Sequence, residues 1–159
     1  MSVVLYRVDE RLIHGQVVVG WGHSLRPDRY VIADDELAAS DWEQELYRLA
    51  AGDVEVVFCT VEAAREGIAE WATDASRSVV LMRDVATLRT FARDGRLRGA
   101  RVDLGGVHHG PGRREVLPYL HLSEEERVVL QDVAAEGVDL GARDLPDAPR
   151  VALEALLAR

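Results

Sequence analysis

Short apolar runs alternate with longer stretches of helical periodicity along the whole chain. The runs VVLYRV (3–8), RYVIAD (29–34), VEVVFC (54–59), SVVLMR (78–83) and ARVDLGG (100–106) are rich in Val, Leu and Ile, and they predict five strands. Between them, GQVVVGWGHSL (15–25) predicts a first helix, weakened by two internal glycines. AASDWEQELYRLAA (38–51) predicts a second helix, with Trp42, Leu46 and Leu49 at helical spacing. A third helix opens at Thr60 with a glutamate in its first turn, and a fourth, from Asp84, closes at Gly95. In the last third, YLHL (119–122) predicts a short strand and VDLGARDL (138–145) a final one. The helix between them starts on a capping box, Ser123 with Glu126, and stops at Gly137. VALEALLAR (151–159) predicts a C-terminal helix. Runs that are apolar throughout belong to strands buried on both faces. Such strands alternating with helices predict a single α/β domain over residues 1–159, a mostly parallel, doubly wound sheet with helices on both faces.

Composition narrows the function classes. The 159 residues are 48% apolar and 30% charged, as in ordinary globular domains. No apolar run approaches the roughly 18–20 residues of a membrane span, and the N-terminal stretch lacks the pattern of a secretory signal, so the expected compartment is the cytoplasm. With Cys59 alone, no internal disulfide and no four-cysteine metal site can form. The net charge of −9 disfavours nucleic acid as a partner. All 19 basic residues are arginine and the chain has neither Lys nor Asn, a bias that fits a GC-rich genome. An arginine here is therefore not by itself a sign of selection for a forked donor.

Ligands of doubly wound sheets gather beyond the carboxyl ends of the strands. The loop after the first strand reads DERLIHG and places Asp9, Arg11 and His14 just before Gly15 and a helix start. A helix start offers unpaired N–H groups and positive potential to an anion, and a glycine lets the backbone approach a ligand. Arg11 can bind an anionic group on the imidazole, and Asp9 can orient Arg11 or the ring. General acid–base work, metal ligation and covalent attack of an imidazole nitrogen on phosphorus all use such groups. Metal ligation lacks a second ligand at close spacing, and acid–base work lacks a recognisable substrate pocket. Phosphoryl transfer suits arginine and main-chain donors best. A surface or capping histidine is the plainer reading of a lone His beside Gly. Neither a Walker motif nor GxGxxG follows the first strand, so a standard nucleotide site is not expected.

The stretch RVDERLIHGQV closely resembles the R-[IV]-D-[DE]-R-L-I-H-G-Q-V signature of IIB subunits in the mannose/fructose/sorbose class of the bacterial sugar phosphotransferase system. VIADDELA, RVDLGGVHHGPGRRE, LPYLHLSEEE and EGVDLGARDLP resemble later family segments in the same order, so the likeness runs along essentially the whole chain. The resemblance implies that His14 accepts a phosphoryl group from a phosphohistidine on a IIA protein and passes it to a sugar entering through IIC and IID. It implies that Arg11 stabilises the phosphoryl group, that Asp9 shapes the loop, and that Gly15 and Gln16 supply main-chain donors. Asp34, Gly105, Gly106 and His108 are further candidates for the phosphate- or substrate-binding mouth. No cofactor and no metal is implied. The expected partners are a separate IIA chain, the IIC/IID permease at whose membrane face the protein works without inserting, and the sugar. A regulatory phosphoprotein that keeps His14 but senses nutrient state by binding a partner is the alternative.

One departure and one acidic pair bear on the site. Asp103 stands where the family usually has Asn, adding a negative charge near the expected phosphate. Asp34–Asp35 ends the second strand, where carboxylates can bind Mg²⁺, although an acidic pair at a helix start is the simpler reading. Cys59 and the three tryptophans, Trp21, Trp42 and Trp71, are expected to pack within the fold.

Overall fold

In the computed structural model, which describes residues 2–159, seven strands form one sheet in the order β3-β2-β4-β1-β5-β8-β9. They are β1 (Val3–Val8), β2 (Arg29–Ala33), β3 (Glu55–Cys59), β4 (Ser78–Met82), β5 (Arg101–Leu104), β8 (Asp139–Ala142) and β9 (Val151–Ala152). All neighbours run parallel except β8 and β9. Chain order reverses direction across β1, whose loop therefore opens at the switch point where such sheets bind ligands.

Alternate side chains of the central strands enter two cores. Val8, Val80, Met82 and Leu104 face one side, with α4 (Val61–Trp71), α5 (Val85–Ala92), α6 (Glu124–Ala135) and α7 (Leu153–Leu157) covering it. Leu5, Ile32, Val79 and Leu81 face the other. There they meet a π-helical segment (Gln16–Trp21) that runs into α1 (Gly22–Leu25), together with α2 (Asp35–Ala38) and α3 (Asp41–Ala51). Helix starts follow the predicted caps. Thr60 accepts from the Ala63 N–H at 3.1 Å. Ser123 and Glu126 close both bonds of the capping box, and Gly137, with φ of 93°, lies just past the end of α6.

Several boundaries differ from the sequence reading. The first helix forms, but in the π form over Gln16–Trp21, which holds Gly20 inside it. The helix expected over 38–51 is two helices, broken by Ser40 as the N-cap residue of α3. The strand expected at 119–122 is β7 (Leu120–Leu122), half of an antiparallel hairpin with β6 (Arg114–Leu117). The last predicted strand is only β8, and the C-terminal segment first adds β9. Trp21 is buried and Trp71 packs on the larger core, but Trp42 is 69% exposed. At the sheet edge α3 turns Gln44, Tyr47 and Ala51 inward instead, leaving Trp42, Leu46 and Leu49 outside. Gln44 donates to the Leu37 carbonyl at 2.7 Å, and Tyr47 leans on Phe58.

Candidate functional site

The loop after β1 turns back on itself around one carboxylate. The Asp9 N–H continues the sheet by donating to the Met82 carbonyl at 2.9 Å, and the Asp9 carbonyl then accepts from the Leu12 N–H at 3.0 Å. Leu12 closes this turn with φ of 55°, a left-handed conformation that costs a leucine about 1 kcal/mol or more. Its side chain is fully buried, so packing holds the strained turn in place. The turn brings His14 back over Asp9.

Asp9 is 0% exposed. Its Oδ1 accepts from the Arg11 N–H at 3.0 Å and from Arg11 Nε at 3.2 Å. Its Oδ2 accepts from the Gly106 N–H at 3.1 Å, Arg11 Nη2 at 3.3 Å and Arg7 Nη2 at 3.3 Å, and lies 3.2 Å from His14 Nε2. Burial pushes this carboxyl up, but the bonds from His14, Arg11 and Gly106 and the charge of Arg7 outweigh it and hold it well below the usual carboxylate range. An ionised carboxylate only accepts, so Nε2 must carry the proton it shares with Asp9. In a neutral ring this leaves the lone pair on Nδ1, which has no partner among the described residues and reaches the surface. The arrangement presents one defined imidazole nitrogen to an electrophile, with a buried anion behind the ring to stabilise positive charge developing on it.

Arg11, 34% exposed, lies across the loop with Nη2 also donating to Gln16 Oε1 at 3.0 Å. Its Nη1 makes no bond among the described residues. Gln16 thus meets the site through its side chain as well as through its place at the first turn of the π-helix. Gly15 stands in the open, where an added Cβ would touch nothing within 4 Å.

Gly105 and Gly106 form the floor. A Cβ at Gly105 would overlap the Arg7 guanidinium, and one at Gly106 would lie 2.8 Å from Arg11 Nη2 and 3.2 Å from Asp9 Oδ1. Bare backbone is what lets both guanidinium groups reach Asp9. His108 stands at the rim, its Nδ1 2.8 Å from Glu10 Oε2. Glu10 also accepts from Arg113, which in turn grips Glu126. Glu10, Arg11, Arg83, Asp84, His108 and Arg113 line an open cavity of about 350 Å³ beside the loop. Arg113 is shared between two glutamates, so its charge is balanced within this cluster.

The remaining candidates take structural places. Asp34 caps α2 by accepting from the Leu37 N–H at 2.9 Å and pairs with Arg83 Nε at 2.8 Å. Asp103 is buried and paired with Arg150 Nε at 2.7 Å, so its charge is answered away from His14. Burial pushes the Cys59 thiol up to about 11, which leaves it protonated and unreactive at neutral pH. His121 is satisfied by the Val107 carbonyl.

Sequence reasoning missed what stands behind Asp9. Arg7 is fully buried, 5.3 Å from the Trp21 ring, and donates to the carbonyls of Arg143 (2.7 Å) and Asp144 (3.2 Å). Trp21 Nε1 donates to the same Asp144 carbonyl at 3.0 Å. The signal was present, since Arg7 is a lone charge inside the apolar run VVLYRV.

Together these features define an α/β protein whose central switch-point loop holds a histidine on a buried carboxylate. Comparison with known proteins places it within a family: the chain belongs to the sorbose-subfamily IIB components of the sugar phosphotransferase system, whose family model matches residues 3–159. It is 27% identical to the N-acetylgalactosamine-specific phosphotransferase enzyme IIB component 2 of Escherichia coli K12, over 98% of this chain and 99% of that one. It is 23% identical to the mannose-specific EIIAB component of the same strain, over 100% of this chain and 49% of that one. Among solved structures, manxB from Thermoanaerobacter tengcongensis superposes with a TM-score of 0.85 at 31% identity, covering 99% of this chain and 95% of that one. Among the described residues, no helix is long and apolar enough to cross a membrane.

Proposed function

We propose that His14 Nδ1 is the phosphoryl-accepting atom of a cytoplasmic sugar-transport IIB protein. The observation that carries this reading is the His14 Nε2 contact with the buried, ionised Asp9, which leaves Nδ1 as the nucleophile. Membership of the IIB family supports it. A phosphohistidine on a IIA protein brings the phosphoryl group. The donor's N–P bond breaks with its electron pair going to the donor ring, and the Nδ1–P bond forms. The ring of His14 then carries positive charge, balanced by Asp9. Arg11, with Nη1 unengaged, and the main-chain donors of Gly15 and Gln16 answer the charge on the phosphoryl oxygens. In the second half-reaction a sugar hydroxyl oxygen bonds to phosphorus, the Nδ1–P bond breaks, and the hydroxyl proton leaves to solvent. A IIC/IID permease presents the sugar at the membrane face. The match to about half of a mannose-specific EIIAB protein supports a IIA donor.

Intact-mass analysis after incubation with phosphoenolpyruvate, enzyme I, HPr and a panel of mannose-class IIA proteins tests this. The expected result is one acid-labile phosphoryl group, absent from His14→Ala. Labelling that survives in His14→Ala overturns the site assignment. Sugar phosphate formed on adding permease membranes supports transport, whereas stable label with no sugar phosphate supports the regulatory reading.

A further inference from the structure

Two arginines reach Asp9, and they differ in origin, exposure and surroundings. Arg11 comes from the strained loop, is partly exposed and keeps Nη1 unengaged. Arg7 comes from β1, the middle of the sheet, and has no exposed surface. It is clamped by the Trp21 ring, the Arg143 and Asp144 carbonyls and the bare backbone at Gly105, while its Nε is buried without a partner. Burial of such a cation costs several kcal/mol before compensation, and apolar residues of similar volume often serve stability as well. Stability alone therefore does not explain an arginine here. A phosphoryl group arriving on His14 carries charge that competes with Asp9 for Arg11, the one of the two that can turn outward. Arg7 cannot turn.

We infer that Arg7 is a positioning residue for phosphoryl transfer: it is the fixed counter-ion that keeps Asp9 charged and seated against the His14 ring while Arg11 turns to the phosphoryl group. The inference rests on His14 being the acceptor. It also gives a role to the segment after β8, whose Arg143 and Asp144 carbonyls and contact with Trp21 hold Arg7 in place from the far end of the chain. The charged and titratable groups facing the Arg7–Asp9 pair are Arg11 and His14 from the first loop, Asp103 on β5, Tyr119 beside β7 and Asp144 after β8, with the Arg143 guanidinium 6.0 Å from the same Trp21 ring. Asp103 is already engaged by Arg150, which leaves Asp9 as the carboxylate that Arg7 touches with its side chain.

The test follows the Asp9 carboxyl by ¹³C NMR across pH in the native protein and in Arg7→Met and Arg7→Lys, together with the pH profile of His14 phosphorylation. The native carboxyl is expected to stay ionised through the ordinary carboxylate range. In Arg7→Met it should titrate within or above that range, and phosphorylation should slow roughly tenfold or more, with the deficit growing as pH falls from about 8 to about 5. Arg7→Lys should keep the native titration and recover much of the rate. A folded Arg7→Met with native Asp9 titration or a native pH profile overturns the inference, as does Arg7→Lys behaving like Arg7→Met. If Arg7→Met does not fold, Arg7→Gln against Arg7→Lys makes the same comparison of neutral with charged. The NMR titration needs no phosphoryl donor, so failure of native protein to be labelled would count against the proposed function while Asp9 still decides the role of Arg7.

Discussion

The loop after β1 and helix α6 are opposites in construction. In α6 the capping and core-facing rules are obeyed, although it also buries Arg127: Ser123 and Glu126 close a capping box, Leu130 and Val133 face the core, and Gly137 takes a positive φ at the end. In the first loop the rules are broken one after another. A leucine adopts a left-handed conformation, the following helix is π-wound, and Arg7 and Asp9 are fully buried. The second region is held by what surrounds it: the packing of Leu12, the glycine floor and the carbonyls after β8. Local consistency marks the elements that support the fold, and its failure marks the place where geometry serves something else.

Substitutions can break this contrast. The largest effect is expected for Asp9→Asn, which leaves Arg7 buried without its carboxylate and permits either tautomer of His14. It should lose about 3 kcal/mol or more of stability at neutral pH and nearly all phosphorylation, read by urea unfolding and by label uptake. Because the folded Asp9 carboxyl is held low, its contribution is complete above the ordinary carboxylate range of about 4 and is lost as pH falls below it. The gap between native and Asp9→Asn should accordingly narrow in acid. Gly105→Ala comes next, because its Cβ would displace the clamped Arg7 guanidinium, at a cost of about 1–3 kcal/mol. Gly106→Ala meets the more mobile end of Arg11, so phosphorylation should suffer more than the melting temperature. Ser123→Ala should cost about 1 kcal/mol and leave the phosphorylation rate unchanged. Smallest is Trp42→Gln, within about 0.5 kcal/mol, since the side chain stands outside the core. A large loss there would mean that α3 is packed differently.

The same contrast explains what could be read from the sequence. Continuous Val/Leu/Ile runs point to strands buried on both faces, so the parallel sheet and the loop beyond its first strand were legible, while the strand order that makes this loop a switch point was not. Thr60, Ser123 and Gly137 act within a few residues of themselves and were legible too. The outward face of α3 was not, because spacing shows that Trp42, Leu46 and Leu49 share a side without showing which side meets the sheet. β9 is too short to carry a periodic signal, and β6 opens on the exposed Arg114 and Glu115, so no apolar run marks it. Asp9, Arg11 and His14 were visible as a group. The buried network that orients them joins residues 7, 21, 105 and 143–144, which the fold alone brings together.

The most direct measurement is the ring nitrogen that carries the phosphoryl group, read by ¹⁵N and ³¹P NMR of the phosphorylated protein. Phosphorus on His14 Nδ1, with Nε2 still protonated toward Asp9, is the predicted result. Phosphorus on Nε2 would contradict it, because that nitrogen would first have to leave the carboxylate around which the whole loop is folded.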